Sequence, residues 1–568
     1  MQLIGTISGD VSPSNFNILL SASGVGRGAF VQINHEEYGW VLAKVSDLKR
    51  SLSNSGEEIA LAKAYTIGYK QDGVVKFPKT PFKPNDRVYS ADGEIIINVI
   101  GLRKNKTGNI YLGVLDGSRI PVYIDLNKTI RKHVSVLAMT GAGKSYTVCV
   151  ILEELLKNDI PIVIIDPHRE YSSLRYENDD YEPMLAYGVK PASYASKITE
   201  YTTSPLTNPD AEKLTLKMRF SMDEITEILP VKLADKQKII LYNALHHLEG
   251  QEYGINDLIN VVRMEKGKDK WKVINVLETL AACGLFDEKP VSEKDLVKPG
   301  HASIIDLKGS EPWVQQLVVT RIAKELFAAM KLNQLPAFFF LVEEAHNFCP
   351  ERGFGEATSS EILRTIASEG RKFGLHMCVV SQRPARVDKN VLSQCNTQII
   401  LKVTNPNDLR AIGQSIEGFT SGMESDIKQL SVGQALVVGE CVEQPIVVNI
   451  RARESKHIGA VEAKGKNVDA EKKPVPAGKV KPIFEEGKEF QVQEAAPRDK
   501  KEIIKKIKPV FIKEKEPTEQ KETKDAKQKD EGKDKEKKDA ASAAPKKKSF
   551  SDRIVGIFLK DEEEMTKK

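Results

Sequence analysis

An α/β fold built on a parallel sheet, preceded by a small β-barrel, interrupted by helices and followed by a charged tail, is what the 568-residue sequence predicts. Three observations carry that reading. Apolar, strand-like runs alternate with runs of helical period from Pro121 to Arg451, and this alternation implies parallel strands covered on both faces. The octapeptide Ala138-Met-Thr-Gly-Ala-Gly-Lys-Ser145 stands between an apolar run, Val134–Leu137, and a helical run, Tyr146–Leu156. Beyond about Ser455, Lys, Glu, Asp, Ala and Pro dominate and few residues remain to build a core.

Taken in order, residues 1–117 hold short β-rich runs at Met1–Ser8, Phe16–Ser21, Gly28–Ile33, Tyr38–Val45, Glu94–Leu102 and Asn109–Val114. Breakers such as Ser23-Gly-Val-Gly and Lys83-Pro-Asn-Asp punctuate them, which predicts a small antiparallel barrel or sandwich. Such a barrel either binds nucleic acid or serves assembly; no series of stacking aromatics decides between the two. The α/β core starts in residues 118–174 with the octapeptide, its helix and the strand Ile160–Asp166. Amphipathic helical runs at Ala234–Glu249, Ile255–Val262 and Lys270–Gly284 predict an inserted helical subdomain over 175–299. The core resumes over 300–455 with strand Ala302–Leu307, helix Pro312–Leu332, strand Ala337–Val342, helix Ser359–Phe373, strands Leu375–Ser381 and Thr397–Val403, and a closing β region, Ala435–Arg451. Residues 456–568 form the tail, expected to be largely disordered; its apolar stretch Phe550–Leu559 is either a short docking helix or an incidental patch.

Composition narrows the classes. No apolar stretch approaches the length needed to cross a bilayer, and Met1–Thr6 lacks the features of a signal peptide, so a cytoplasmic protein without direct membrane insertion is expected. The six cysteines are scattered, without C-x-x-C pairs or zinc spacing. Net charge is only +5, so a nucleic-acid partner would need a local basic surface.

The octapeptide between strand and helix has the chemistry of a phosphate loop. Small residues let the backbone wrap phosphate oxygens, the helix N-terminus presents unpaired N–H groups, Lys144 supplies a point charge and Ser145 a metal-ligating hydroxyl. Thr140, Gly141, Ala142, Gly143, Lys144, Ser145 and Tyr146 are therefore the expected contacts to a nucleoside triphosphate. Ala138 stands where the usual pattern has glycine, and a small side chain is expected to be tolerated there. Hydrolysis also needs a metal anchor and a group that positions water. The strand Ala337–Val342 ends in Glu343 and Glu344, where Glu343 would hold magnesium and Glu344 would polarise the attacking water; His346 has either a site role or a packing one. Gln382 ends the next strand as a candidate γ-phosphate sensor. Arg371, near a helix end, suits either an arginine finger toward a neighbouring subunit or a helix-terminal charge. The stretch after the sensor carries Arg383, Arg386 and Lys389, a candidate loop for gripping a phosphate backbone or else a solvated connection.

The runs Phe340-Leu-Val-Glu-Glu-Ala-His-Asn-Phe-Cys-Pro350, Arg364-Thr-Ile-Ala-Ser-Glu-Gly-Arg-Lys-Phe-Gly374 and Ser381-Gln-Arg-Pro-Ala-Arg-Val-Asp388, with Ile165-Asp-Pro-His-Arg-Glu-Tyr171, resemble the archaeal HerA ATPases of the HerA/FtsK superfamily. The resemblance covers roughly residues 1 to 455, the scale of two or three domains. It implies a RecA-like P-loop NTPase core using ATP and Mg2+, assembled as a hexameric ring that translocates along or unwinds double-stranded DNA. It also implies a NurA-like nuclease partner in DNA end resection. By the same resemblance Lys144 and Ser145 are phosphate-loop residues, Glu343 and Glu344 the metal and water carboxylates, Gln382 the sensor and Arg371 the trans-acting arginine. The family has a nucleotide-holding basic residue shortly before the phosphate-loop strand, a place filled by Lys132 or Arg131. Ala138, Glu343 in place of Asp, and Arg169 in place of a small residue depart from the family pattern. A related motor moving DNA or protein in conjugation or secretion, and a nucleotide-dependent switch or assembly factor, are the alternative classes.

Overall fold

The computed structural model describes residues 1–457 apart from 23, 53–57, 104–107, 219–221, 230, 252 and 288. The expected disordered tail, with its Phe550–Leu559 stretch, lies outside the described residues from 458 onward.

The N-terminal strands are β1 (Leu3–Ser8), β2 (Asn15–Leu20), β3 (Phe30–His35), β4 (Gly39–Leu52), β5 (Glu58–Gln71), β6 (Val74–Lys76) and β7 (Arg87–Ser90). They run in the order β2-β1-β7-β3-β4-β5, and β2 pairs again with β5, so six antiparallel strands close into a barrel with β6 appended to β5. Closure removes the exposed sheet edges. The 14-residue β4 shifts register twice against β5, between Leu42 and Ala43 and between Val45 and Asp47, which bends it around the barrel. Ile7, Ile18, Val31, Ile33, Val41 and Val88 are fully buried inside.

Two expected barrel strands are something else. Glu94–Leu102 is helical, Gly93–Ile100, burying Ile96, Val99 and Ile100 at helical spacing and ending at Gly101, whose φ of 78° suits glycine. Its β-branched isoleucines favour a strand locally, but the apolar stripe packs between barrel residues Phe30, Leu42 and Ile67 and the core of the next sheet. Asn109–Val114 is a strand, yet it belongs to that second sheet.

The second sheet contains β8 (Asn109–Leu115), β9 (Pro121–Asp125), β10 (Val134–Leu137), β11 (Ile162–Asp166), β12 (Ile198–Thr202), β13 (Glu212–Lys213), β14 (Ala302–Asp306), β15 (Phe338–Val342), β16 (Leu375–Ser381), β17 (Thr397–Ile400), β18 (Gln434–Gly439) and β19 (Ile446–Ile450). Their order is β13-β12-β14-β11-β15-β16-β10-β17-β18-β19-β8-β9, parallel from β13 to β17 and antiparallel thereafter. Alternate residues of each central strand serve opposite faces: Val163 and Ile165 join the core under helix Pro312–Lys331, while Ile162 and Ile164 join the core under helix Lys144–Lys157. The segment expected to be an inserted helical subdomain gives β12 and β13 to the sheet edge beside β14. Its helices follow later, Asp235–His247, Ile255–Met264 and Lys270–Ala282 among them. Among the described residues no helix is long and apolar enough to cross a membrane.

Candidate nucleotide site

The parallel strands end at one edge, and β16 lies between the phosphate-loop strand β10 and the carboxylate strand β15. The loop after β10, the turn after β15 and the residue after β16 therefore meet at that edge, where open α/β sheets bind ligands. In the loop, Gly141 and Gly143 have φ values of 80° and 96°, a left-handed geometry that glycine adopts without penalty. Gly143 caps helix Lys144–Lys157 without a side-chain hydrogen bond to its first turn. Ala138 is fully buried, and its N–H donates to the Ser381 carbonyl at 3.2 Å, so its methyl group is accommodated.

Lys144 is only 5% exposed, and its ammonium pairs with Glu343 and, at 2.6 Å, with Glu344. The Tyr171 hydroxyl donates to the other Glu343 oxygen. Burial pushes the Glu343 carboxyl up to about 7 against the pull of Lys144. Glu344 has a φ of 49°, a left-handed conformation costly for a side chain with a Cβ, which turns its carboxylate back into the site. Burial works to raise its pKa, but Lys144, His346 and the Gln382 amide hold it below the usual carboxylate range. Gln382 Nε2 donates to Glu344 at 2.7 Å, and Gln382 Oε1 accepts from the Thr140 hydroxyl, so one amide ties the Glu344 carboxylate to the phosphate loop. His346 Nδ1 lies 3.2 Å from Glu344 and 3.1 Å from Ser381 Oγ, against the site rather than in plain packing.

The Ser145 hydroxyl donates to Glu170, which follows the Asp166 end of β11. Burial pushes the Asp166 carboxyl up to about 7, although it accepts the Tyr171 N–H at 3.0 Å. The donors gathered here are hydroxyl and carboxylate oxygens, which fit Mg2+. Among the described residues no group of three or more His, Cys, Asp and Glu side chains forms an all-protein metal cage. Tyr146 points elsewhere: its hydroxyl accepts the Arg453 N–H at 2.8 Å, and its ring lies 5.5 Å from that of His457.

Two expected site residues stand at the far edge. Arg371 precedes the seven-residue β16, and Lys132 precedes β10, so each is separated from its own phosphate loop by the strand that follows it, a rise of about 3.3 Å per residue. Lys132 therefore does not line the loop of its own chain; it pairs with Glu440. Arg371 donates to Asn396 at 3.2 Å and to Gln394 at 3.1 Å, and Asn396 donates in turn to Glu440. Beyond Gln382, Arg383, Arg386 and Lys389 are exposed. The Arg386 guanidinium lies 5.6 Å from the Phe354 ring centre, and Lys389 is 3.6 Å from Glu351, so the stretch is partly compensated and braced against the loop after β15.

Sequence reasoning missed Glu170 and Tyr171 as site residues and the closing strap Arg451–Ser455. Arg451 and Arg453 are buried against the helix that starts at Lys144: Arg451 pairs with Glu153 at 2.9 Å and Glu154 at 2.8 Å, and Ser455 bonds Glu153. The available signal was two arginines alternating with Ala452 after an apolar strand.

Fold and site together have the architecture of a P-loop NTPase. The resemblance within that class is to HerA: residues 110–326 match the family model for the central domain of helicase HerA. A probable helicase of Methanocaldococcus jannaschii is 26% identical over 72% of this chain and 80% of its own. From the same organism, a probable DNA double-strand break repair helicase HerA is 28% identical over 66% of this chain and 81% of its own. The DNA double-strand break repair helicase HerA of Sulfurisphaera tokodaii is 25% identical over 81% of this chain and 95% of its own.

Proposed function

We propose that the protein is an ATP-driven motor that works as a hexameric ring on double-stranded DNA in the cytoplasm, translocating along it or unwinding it, with a NurA-like nuclease in end resection and repair. The single observation that carries the proposal is the contact chain Thr140–Gln382–Glu344–Lys144, which joins the phosphate loop to a water-positioning carboxylate through a sensor amide. The names of the HerA relatives, repair helicases, supply the DNA.

In this reading Lys144 exchanges carboxylate for phosphate. The arriving triphosphate draws the ammonium from Glu343 and Glu344, and Glu344 is left to orient and polarise the attacking water. Mg2+, held by Ser145 and Glu343, would neutralise charge on the phosphates. Gln382, bonded to both sides, registers the γ-phosphate and passes its loss to Arg383, Arg386 and Lys389, which grip the DNA backbone. Arg371 and Lys132, at the far edge of the sheet, reach the nucleotide of the neighbouring subunit. The test is ATP turnover of the purified protein with and without duplex DNA; a motor is stimulated, and a switch protein shows little change.

A further inference from the structure

A serine hydroxyl that ligates a metal must point a lone pair at it, so its single proton needs another acceptor. The other carboxylate of the site, Glu343, is committed: one oxygen takes the Tyr171 hydroxyl, and the one on Lys144 here would turn to Mg2+ once nucleotide draws the ammonium away. The Ser145 hydroxyl donates instead to Glu170. We propose that Glu170 is a positioning residue for the Mg2+ site, holding the Ser145 proton so that the hydroxyl oxygen faces the metal. This rests on the reading of the site as one for Mg2+ and nucleotide.

The segment that carries Glu170 is built to hold it. The Asp166 carboxylate accepts the Tyr171 N–H at 3.0 Å, and Tyr171 is fully buried with its hydroxyl on Glu343. On the other side Arg169 takes a left-handed φ of 60°, and its guanidinium donates to Asn208 at 2.9 Å. Asn208 is fixed in turn by Glu200 at 3.0 Å and Asp306 at 2.9 Å. Both neighbours of Glu170 are thus anchored, and the departure at Arg169 has a structural purpose. An acceptor held this way orients a ligand without contacting the metal.

The test is nucleotide affinity across a magnesium titration, read with a fluorescent ATP analogue on the full chain, alongside Mn2+ binding followed by electron paramagnetic resonance. Glu170→Ala is expected to keep metal-free nucleotide binding and the melting midpoint, while the Mg2+ concentration needed for tight binding rises about tenfold and Mn2+ affinity falls in step. Glu170→Gln retains a neutral acceptor and is expected to show a smaller rise, roughly threefold. Parental Mg2+ midpoints in both variants would overturn the proposal. If Glu170→Ala melts early, a parental midpoint in Glu170→Gln overturns it by itself. Absence of nucleotide binding in the unaltered protein, or binding that never responds to Mg2+, would overturn the reading of the site as one for Mg2+ and nucleotide, a distinguishable failure.

Discussion

Glu344 occupies a left-handed backbone position, and its carboxylate is shared by Lys144, Gln382 and His346. Replacing it by Gln keeps the shape but removes the negative charge to which the proposed mechanism gives the polarising of water. Glu344→Gln is expected to bind ATP near normally and hydrolyse it about 10² to 10⁴-fold more slowly. Equilibrium binding and single-turnover phosphate release check this; weakened Mg2+-dependent binding with near-normal hydrolysis at saturating ATP would mean that Glu343 and Glu344 have the reverse roles. At this scale the sequence was informative wherever a residue's task is local. The phosphate loop, the paired glutamates and Gln382 sit at strand ends, and strand ends are visible as the close of apolar runs. Glu170 and Tyr171 were not legible, because what assigns them is contact with Ser145 and Glu343, at 25 and 172 residues' separation.

Elements explain why the site stays in register. The strap Arg451–Ser455 crosses the phosphate-loop helix, and Arg451 is buried among Glu153, Glu154 and the Tyr111 carbonyl. Removing one partner leaves the others charged and buried, which is far costlier than losing a surface pair. Arg451→Ala is expected to cost about 3–5 kcal/mol of stability, measured by chemical denaturation; a loss under about 1 kcal/mol, the worth of a surface pair, would contradict the account. At the opposite edge, His133 Nδ1 accepts the Met377 N–H at 2.8 Å and Nε2 lies 3.0 Å from the Ala367 carbonyl, tying β10 to β16 and to the helix before Arg371. Strands such as Val134–Leu137 and Leu375–Ser381 were legible to the residue because they are predominantly apolar and buried on both faces. Helix Gly93–Ile100 and strand Ile198–Thr202 were not: in the first, tertiary packing overrides β-branched propensity, and in the second a short polar strand one place in from the sheet edge buries Glu200 against Asn208.

For the whole molecule, the separation of Arg371 and Lys132 from the phosphate loop of their own chain has a direct consequence for the proposed ring: a single subunit would lack the cations that a neighbour supplies to its site. Arg371→Ala subunits are expected to bind ATP yet hydrolyse about 10³-fold more slowly or worse. Mixed with Glu344→Gln subunits they should regain activity at junctions that pair an intact Glu344 with an intact Arg371. Absence of recovery in demonstrably mixed assemblies would leave Arg371 as a structural partner of Gln394 and Asn396.

The central claim is that hydrolysis at this edge is coupled to duplex DNA through Gln382 and the basic residues after it. The most direct measurement is ATP turnover with and without duplex DNA, in the unaltered protein and in an Arg386→Ala, Lys389→Ala double variant, with DNA affinity followed across a salt series. The account predicts stimulation by DNA in the unaltered protein, and in the variant retained basal turnover, lost stimulation, and weaker binding with a shallower salt slope, since phosphate contacts release counterions. Turnover indifferent to duplex DNA in the unaltered protein would contradict it.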